Sequence, residues 1–170
     1  MTLESDLGEF ARIPLFAALE YEARRLLAFS AETRILRSRD VLFRHGEKSD
    51  CGYLLVNGTL EIERKANEGN GKIITAPTLV GEMALLTDTE RPMTLVAATP
   101  ATVLKISRNL FSRVLKEYPR SAMQTRALIE ARLTAFSREL GVARSRSFLD
   151  ENIANASLSE SVDFLKPSRF

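Results

Sequence analysis

The stretch Tyr53-Leu54-Leu55-Val56-Asn57-Gly58-Thr59-Leu60-Glu61-Ile62 decides the fold class. Two apolar runs rich in strand-forming residues flank an Asn-Gly pair. Both residues tolerate positive φ, so the pair predicts a tight hairpin. The same texture continues on either side. Upstream lie Ile35 and Val41-Leu42-Phe43; downstream lie Lys72-Ile73-Ile74-Thr75, Thr94-Leu95-Val96 and Thr102-Val103-Leu104-Lys105-Ile106. Turn signals separate them at Ser38-Arg39-Asp40, His45-Gly46-Glu47 and Asn67-Glu68-Gly69-Asn70-Gly71. Many short strands between such turns predict a mainly β fold, an antiparallel barrel or jelly roll, over about residues 32–106.

Helical patterns flank this core. Leu15, Phe16, Leu19, Ala23, Leu26 and Leu27 predict a turn and a short amphipathic helix between Ile13 and Phe29, with Pro14 suited to its start. At Ser107 the period changes again. Ser107 is placed to cap a helix that turns Leu110, Phe111, Val114 and Leu115 inward and stops at Tyr118-Pro119. A second helix is predicted over about 120–140, with Gly141 as its stop. Its apolar seam, Ala122, Ile129, Leu133, Phe136 and Leu140, becomes heptad-like from Ile129. That seam either packs on its own barrel or forms a homodimer contact. The reading is one domain over 1–143, with helices at about 107–141 and a tail over 144–170. In the tail, Ser157 and Glu160 make a capping-box pattern ahead of Leu158, Val162, Phe164 and Leu165.

Composition narrows the function. The 170 residues are 45% hydrophobic and 27% charged, ordinary for a soluble globular domain. A net charge of +2 does not argue for nucleic acid. Arg120, Arg126, Arg132, Arg138 and Arg144 recur every six residues, a step that scatters them around a helix. Cys51 is the one cysteine and His45 the one histidine, which rules out an internal disulfide and leaves no zinc or hydrolytic set to assemble. Residues Met1–Arg12 lack the pattern of a signal peptide, and no apolar run approaches a membrane span. The expected setting is cytoplasmic, without membrane, metal or catalysis.

Val80-Gly81-Glu82-Met83-Ala84-Leu85-Leu86 reads as a strand end, a glycine and one turn of helix. Glycine allows a ligand to approach the backbone closely. Free N–H groups on the first turn suit an anion. Arg91, nine residues beyond Glu82, offers a bidentate phosphate ligand. Glu82 needs a donor, and a sugar hydroxyl is a natural one. Together these point to a ligand with a phosphate beside a ribose hydroxyl.

This segment resembles the phosphate-binding cassette of the cyclic-nucleotide-binding domain family, which includes the catabolite-activator-type regulators and the regulatory subunits of cAMP-dependent kinase. Two further segments resemble the family in the same order: Ile13-Pro14-Leu15-Phe16 with Leu19, and Gly46 with Ser49-Asp50, Tyr53-Leu54-Leu55 and Gly58. The resemblance covers about residues 10–140. It implies a double-stranded β-helix with N-terminal helices and a C-terminal helix pair, binding cAMP or cGMP. By the resemblance, Gly81 and Glu82 would hold the ribose, the amides of Ala84 and Leu85 (beside Met83) would face the phosphate, and Arg91 would neutralise it. Pro92, Met93 and Thr94 complete the cassette, with Thr94 supplying a hydroxyl. Phe136 and Ser137 fall where catabolite-activator-type proteins read adenine; Phe136 would stack on a base and Ser137 would reach the ligand, from this chain or a partner subunit.

Two departures stand out, one in the cassette and one on the long helix, where Phe136 stands in place of a hydroxyl residue and cannot hydrogen-bond a base edge. Pro92 replaces the small residue whose N–H meets the phosphate, which removes a donor, and Met93 is larger than the usual alanine. Pro92 also lacks the hydroxyl that favours guanine, which leans to cAMP. The family's winged DNA-binding module has no counterpart among the thirty residues after Leu140. The expectation is therefore a stand-alone sensor that repositions the helices after Ser107 for a dimer mate or an effector protein, without direct nucleic-acid binding. The alternatives are an interaction module of the same fold without ligand, a shortened transcription regulator acting through a partner, and, least favoured, a nucleotide-processing enzyme.

Overall fold

The computed structural model describes residues 3–63, 71–132, 134, 135 and 138. The chain divides into two units, Met1–Arg126 and Ala127–Phe170. In the first, three helices precede the β region: α1 (Leu3–Ala11), α2 (Pro14–Ala17) and α3 (Tyr21–Ser30). Ten strands follow: β1 (Glu32–Leu36), β2 (Val41–Phe43), β3 (Lys48–Ser49), β4 (Cys51–Asn57), β5 (Thr59–Ile62), β6 (Ile73–Thr75), β7 (Thr78–Val80), β8 (Thr89–Glu90), β9 (Leu95–Ala97) and β10 (Ala101–Ser107). Helix α4 (Arg108–Glu117) closes the roll.

The pairing is nested. The first strand pairs with the last, β2 with β9, β3 with β8, β4 with β7, and β5 with β6, all antiparallel. One long hairpin with its tip between β5 and β6 is rolled so that β10 also pairs β4, and β9 also pairs β5. Two four-stranded sheets result, β1-β10-β4-β7 and β2-β9-β5-β6, with the pair β3-β8. This is the expected jelly roll.

Asn57-Gly58 is not the tight hairpin that its sequence suggests. β4 and β5 belong to different sheets, and the pair is the corner between them. A type I′ turn needs positive φ at both central residues. Here Gly58 has φ 85°, and among the described residues the one non-glycine with positive φ is Arg39. A side chain at Gly58 would run into the Pro100 carbonyl and Ala101, so the corner requires glycine for space as well as conformation.

Strand β4 is buried from Cys51 to Leu55, on both its faces. Cys51, Tyr53 and Leu55 join Leu36, Leu42, Phe43, Leu60 and Val103 inside the roll. The opposite face carries Leu54, and helices α1 and α4 touch β4 and β10 respectively. Three aromatic rings join the helices: Phe10 stacks on Phe16 at 4.8 Å, and Phe16 meets Phe111 edge-on at 6.4 Å. Ser107 caps α4 as expected, its Oγ accepting the Leu110 N–H at 3.1 Å. Helix α4 buries Phe111 and Val114, while Leu110 and Leu115 are half-buried, and the helix ends before Tyr118-Pro119.

Residues 119–132 are helical. Within the first unit this helix buries Ser121 and Thr125, not the predicted seam; Ala122 is half-buried. For Ser121 the reason is polar. Ser121 Oγ accepts the Glu20 N–H at 3.0 Å, satisfying an amide at the start of α3 that would otherwise have no partner within its own helix. In the second unit Ile129 is half-buried. Leu133, Phe136, Leu140 and the tail 144–170 lie outside the described residues.

Two predictions follow from this packing. Phe16→Ala should cost about 3–5 kcal/mol, because the ring is fully buried between two others. Urea unfolding should show a lower midpoint at unchanged slope; a cost under about 1 kcal/mol would contradict the three-ring junction. Burial, reinforced by the Cys51 thiol, pushes the Tyr53 phenol up to about 12. The folded state then holds a proton that the unfolded state releases near pH 10, so this contribution to stability is intact below pH 10 and disappears as pH rises through about 12. Tyrosinate absorbance on Tyr53→Phe and the native chain should differ by one group titrating near 12; a difference near 10 would refute it.

Candidate functional site

Strand β7 ends at Val80, and Gly81 turns the chain with φ 74° and ψ 28°. A tight 3₁₀ turn, Glu82–Leu85, follows. Within it the Ala84 N–H donates to the Gly81 carbonyl at 3.1 Å, and the Leu86 and Thr87 N–H groups both donate to the Met83 carbonyl at 3.0 Å. Ala84 and Leu85 are buried and anchor the turn, while Met83 is exposed. Glycine is needed at 81 for two reasons: the left-handed backbone, and the guanidinium of Arg91, which a Cβ would strike.

Arg91 follows β8 and is fixed by its own backbone. Its N–H donates to the Glu47 carbonyl at 2.8 Å, and its carbonyl accepts the Gly46 N–H at 2.9 Å. The residue is 4% exposed. Nη2 donates to the Cys51 carbonyl at 2.8 Å and to the Cys51 sulfur at 3.4 Å. The guanidinium carbon lies 4.2 Å from the centre of the Phe43 ring and 5.5 Å from that of Tyr53. Cation–π contacts contribute about 2 kcal/mol or more when desolvated, against about 0.5–1 kcal/mol at exposed sites. Among the described residues Arg91 forms no ion pair, and dipoles and π-faces meet its buried charge.

Beside Arg91 opens a cavity of about 530 Å³. Gly81, Arg91, Pro92 and Met93 form one side; Phe43, Ile62, Ile74, Leu79 and Leu95 give an apolar wall; Lys72, Thr75 and Thr78 are polar. A single buried cation facing an apolar cavity of this size suits an organic anion of nucleotide dimensions.

The structure therefore brings Gly81, Arg91, Pro92 and Met93 to one cavity. Glu82 opens the 3₁₀ turn next to Gly81 and is half-buried, outside the cavity's lining. The Ala84 N–H is engaged with Gly81, and Leu85 packs toward Gly52 of β4. The Thr94 hydroxyl accepts the His45 N–H at 3.0 Å and so ties down the loop before β3. Phe136 and Ser137 lie outside the described residues.

Sequence reading missed Phe43 and Cys51 as the seat of the Arg91 guanidinium, and Lys72 at the cavity. It also missed Arg108, the first residue of α4. Arg108 Nε donates to the Ala84 carbonyl at 2.7 Å, Nη2 to the Ser49 carbonyl at 2.5 Å, and Nη1 pairs with Asp88. In sequence Arg108 reads as an ordinary polar residue just inside a helix; nothing local marks its reach. Among the described residues no group of His, Cys, Asp and Glu could hold a metal ion, and no helix is long and apolar enough to cross a membrane.

Comparison with known proteins agrees with this geometry. A cyclic nucleotide-binding-like protein from Brucella abortus is 36% identical and matches with a TM-score of 0.60 over 65% of this chain and 97% of its own. The N-terminal domain of a transcriptional regulator from Streptomyces coelicolor is 25% identical, with a TM-score of 0.70 over 77% of this chain and 94% of its own. Among curated relatives, the lysophospholipase nte1 of Neurospora crassa is 29% identical over 136 residues, 78% of this chain; the chain spans only 9% of that relative's length. The family model of the cyclic nucleotide-binding domain matches residues 33–118, the whole of the roll from β1 to the end of α4, and the chain belongs to that family.

Proposed function

We propose that the chain is a non-catalytic sensor that binds a cyclic nucleotide in the cavity beside Arg91. The observation that carries this reading is the buried Arg91 guanidinium, without a carboxylate partner among the described residues, at the edge of a nucleotide-sized cavity. A cyclic phosphate would supply the missing negative charge through bidentate hydrogen bonds. Glu82, at the start of the turn, would accept the ribose hydroxyl, and the base would rest on the apolar wall that includes Phe43 and Ile74. Adenine is favoured over guanine, because Pro92 places no hydroxyl next to Arg91. Nucleotide binding would move the 3₁₀ turn and with it the helices after Ser107, a shift that requires tighter binding to one of the two states.

The heptad-like spacing of Ile129, Leu133, Phe136 and Leu140 supports a homodimer through 120–140 as the surface that reads this change, alongside an effector protein. The proposed setting is the cytoplasm, in keeping with a single unpaired, buried Cys51. A second reading, the fold without a nucleotide, draws on Pro92, which has no N–H to offer a phosphate.

Calorimetric titration separates the two. The native chain should release or absorb heat with cAMP and bind it more tightly than cGMP. Arg91→Ala should abolish binding, and Pro92→Ala should tighten it about tenfold by restoring one phosphate hydrogen bond. No heat with either nucleotide at millimolar concentration would favour the second reading, and binding indifferent to Arg91→Ala would refute the site. For the dimer, sedimentation of Phe136→Asp should show half the native mass; equal masses would exclude this interface.

A further inference from the structure

Arg91 and Arg108 meet the same short piece of backbone. The Cys51 carbonyl accepts Arg91 Nη2 at 2.8 Å and also the Ser49 hydroxyl at 3.3 Å. The Ser49 carbonyl accepts Arg108 Nη2 at 2.5 Å. Between them, the Asp50 carbonyl accepts the backbone N–H of Arg108 at 2.7 Å. The two bonds to the Cys51 carbonyl are buried, and the Arg108–Ser49 bond is part-buried. The other two bonds of Arg108 go to the Ala84 carbonyl inside the 3₁₀ turn and to Asp88 just after it. One planar fork at the first residue of α4 thus grips both the turn below the cavity and the strand junction on which Arg91 rests.

We infer that Arg108 is a positioning residue for the cavity's 3₁₀ turn, and that the Ser49–Cys51 backbone links phosphate occupancy at Arg91 to the start of α4. The second half rests on the proposed reading of Arg91 as the phosphate ligand. A phosphate that draws the guanidinium off the Cys51 carbonyl leaves that carbonyl to the Ser49 hydroxyl and shifts the strip that Arg108 holds at two points. Since the same arginine opens α4, a displacement of the strip and a displacement of the helix are one event. Lysine cannot replace it, because a single ammonium does not match three acceptors arranged around a planar fork.

Hydrogen exchange on the full chain tests both halves, with and without cAMP, in the native protein, Arg108→Ala and Arg108→Lys. Without nucleotide, amides of the Glu82–Leu86 segment should exchange at least about fivefold faster in both variants than in the native chain. Equal rates, or full rescue by lysine, would overturn the positioning role. With cAMP, the native chain should change its exchange across Arg108–Glu117, whereas Arg108→Ala should bind at least about fivefold more weakly and show no change there. A retained α4 response in Arg108→Ala would overturn the link. Absence of nucleotide binding to the native chain would overturn the site reading and the link together, while the nucleotide-free arm still decides the positioning role. If Arg108→Ala does not fold, Asp88→Asn alters a side chain 98% exposed and should still speed exchange in the turn; unchanged exchange would overturn the positioning role.

Discussion

A guanidinium removed from water must be met by something, and in this molecule the partners of Arg91 are a strand carbonyl and the faces of two rings. Much of the site follows from that. Gly81 has to lack a side chain because the guanidinium occupies the space beside it. Phe43 and Tyr53, themselves 6.1 Å apart, have to present their faces inward from β2 and β4. The cavity then has the buried Arg91 at one edge and a wall that is mostly apolar, with Lys72, Thr75 and Thr78 as its other polar residues. A buried cation is costly without a full counter-charge, and under the proposed function a bound phosphate would supply that charge.

The roll is what makes this arrangement possible. Nested antiparallel pairing places β3 beside β8 and β4 beside β7, so the segment 81–91 is pinned at both ends to the stretch 48–53. The turn between those ends is short, internally hydrogen-bonded and braced from outside by Arg108. Helix packing is the second constraint. Phe10, Phe16 and Phe111 join helices from the two ends of the roll, and Ser121 extends the contact to the start of α3. The first residue of α4 is therefore attached both to this aromatic cluster and to the cavity's turn.

Much of the fold was legible before the structure. Strand-rich runs with turns between them, the Ser107 cap and the Tyr118-Pro119 stop all appear where their residues imply. Gly81, Glu82 and Arg91 stand out in sequence because a glycine ahead of a short turn and an arginine at a set distance are local features; the structure brings Gly81 and Arg91 to one cavity and leaves Glu82 outside its lining. One expectation failed. Asn57-Gly58 carries every local mark of a hairpin, yet the strands it joins pair with other partners. On the second helix the sequence marks Ala122, and the structure adds its neighbour Ser121, which answers an amide on a distant helix.

By itself, then, the sequence determined what lies within a few residues: backbone period, caps, the positive φ at Gly58, the glycine at 81 and the presence of a cation near a turn. Tertiary structure alone decided which groups meet across the roll. Arg91 and Cys51 are 40 residues apart, Arg108 and Ser49 are 59, and Ser121 and Glu20 are 101. Backbone preferences are local energies and can be read from neighbours. The partners of a buried polar group depend on which strands the collapse brings side by side, and those are carbonyls and amides that every residue possesses, so no residue type announces them.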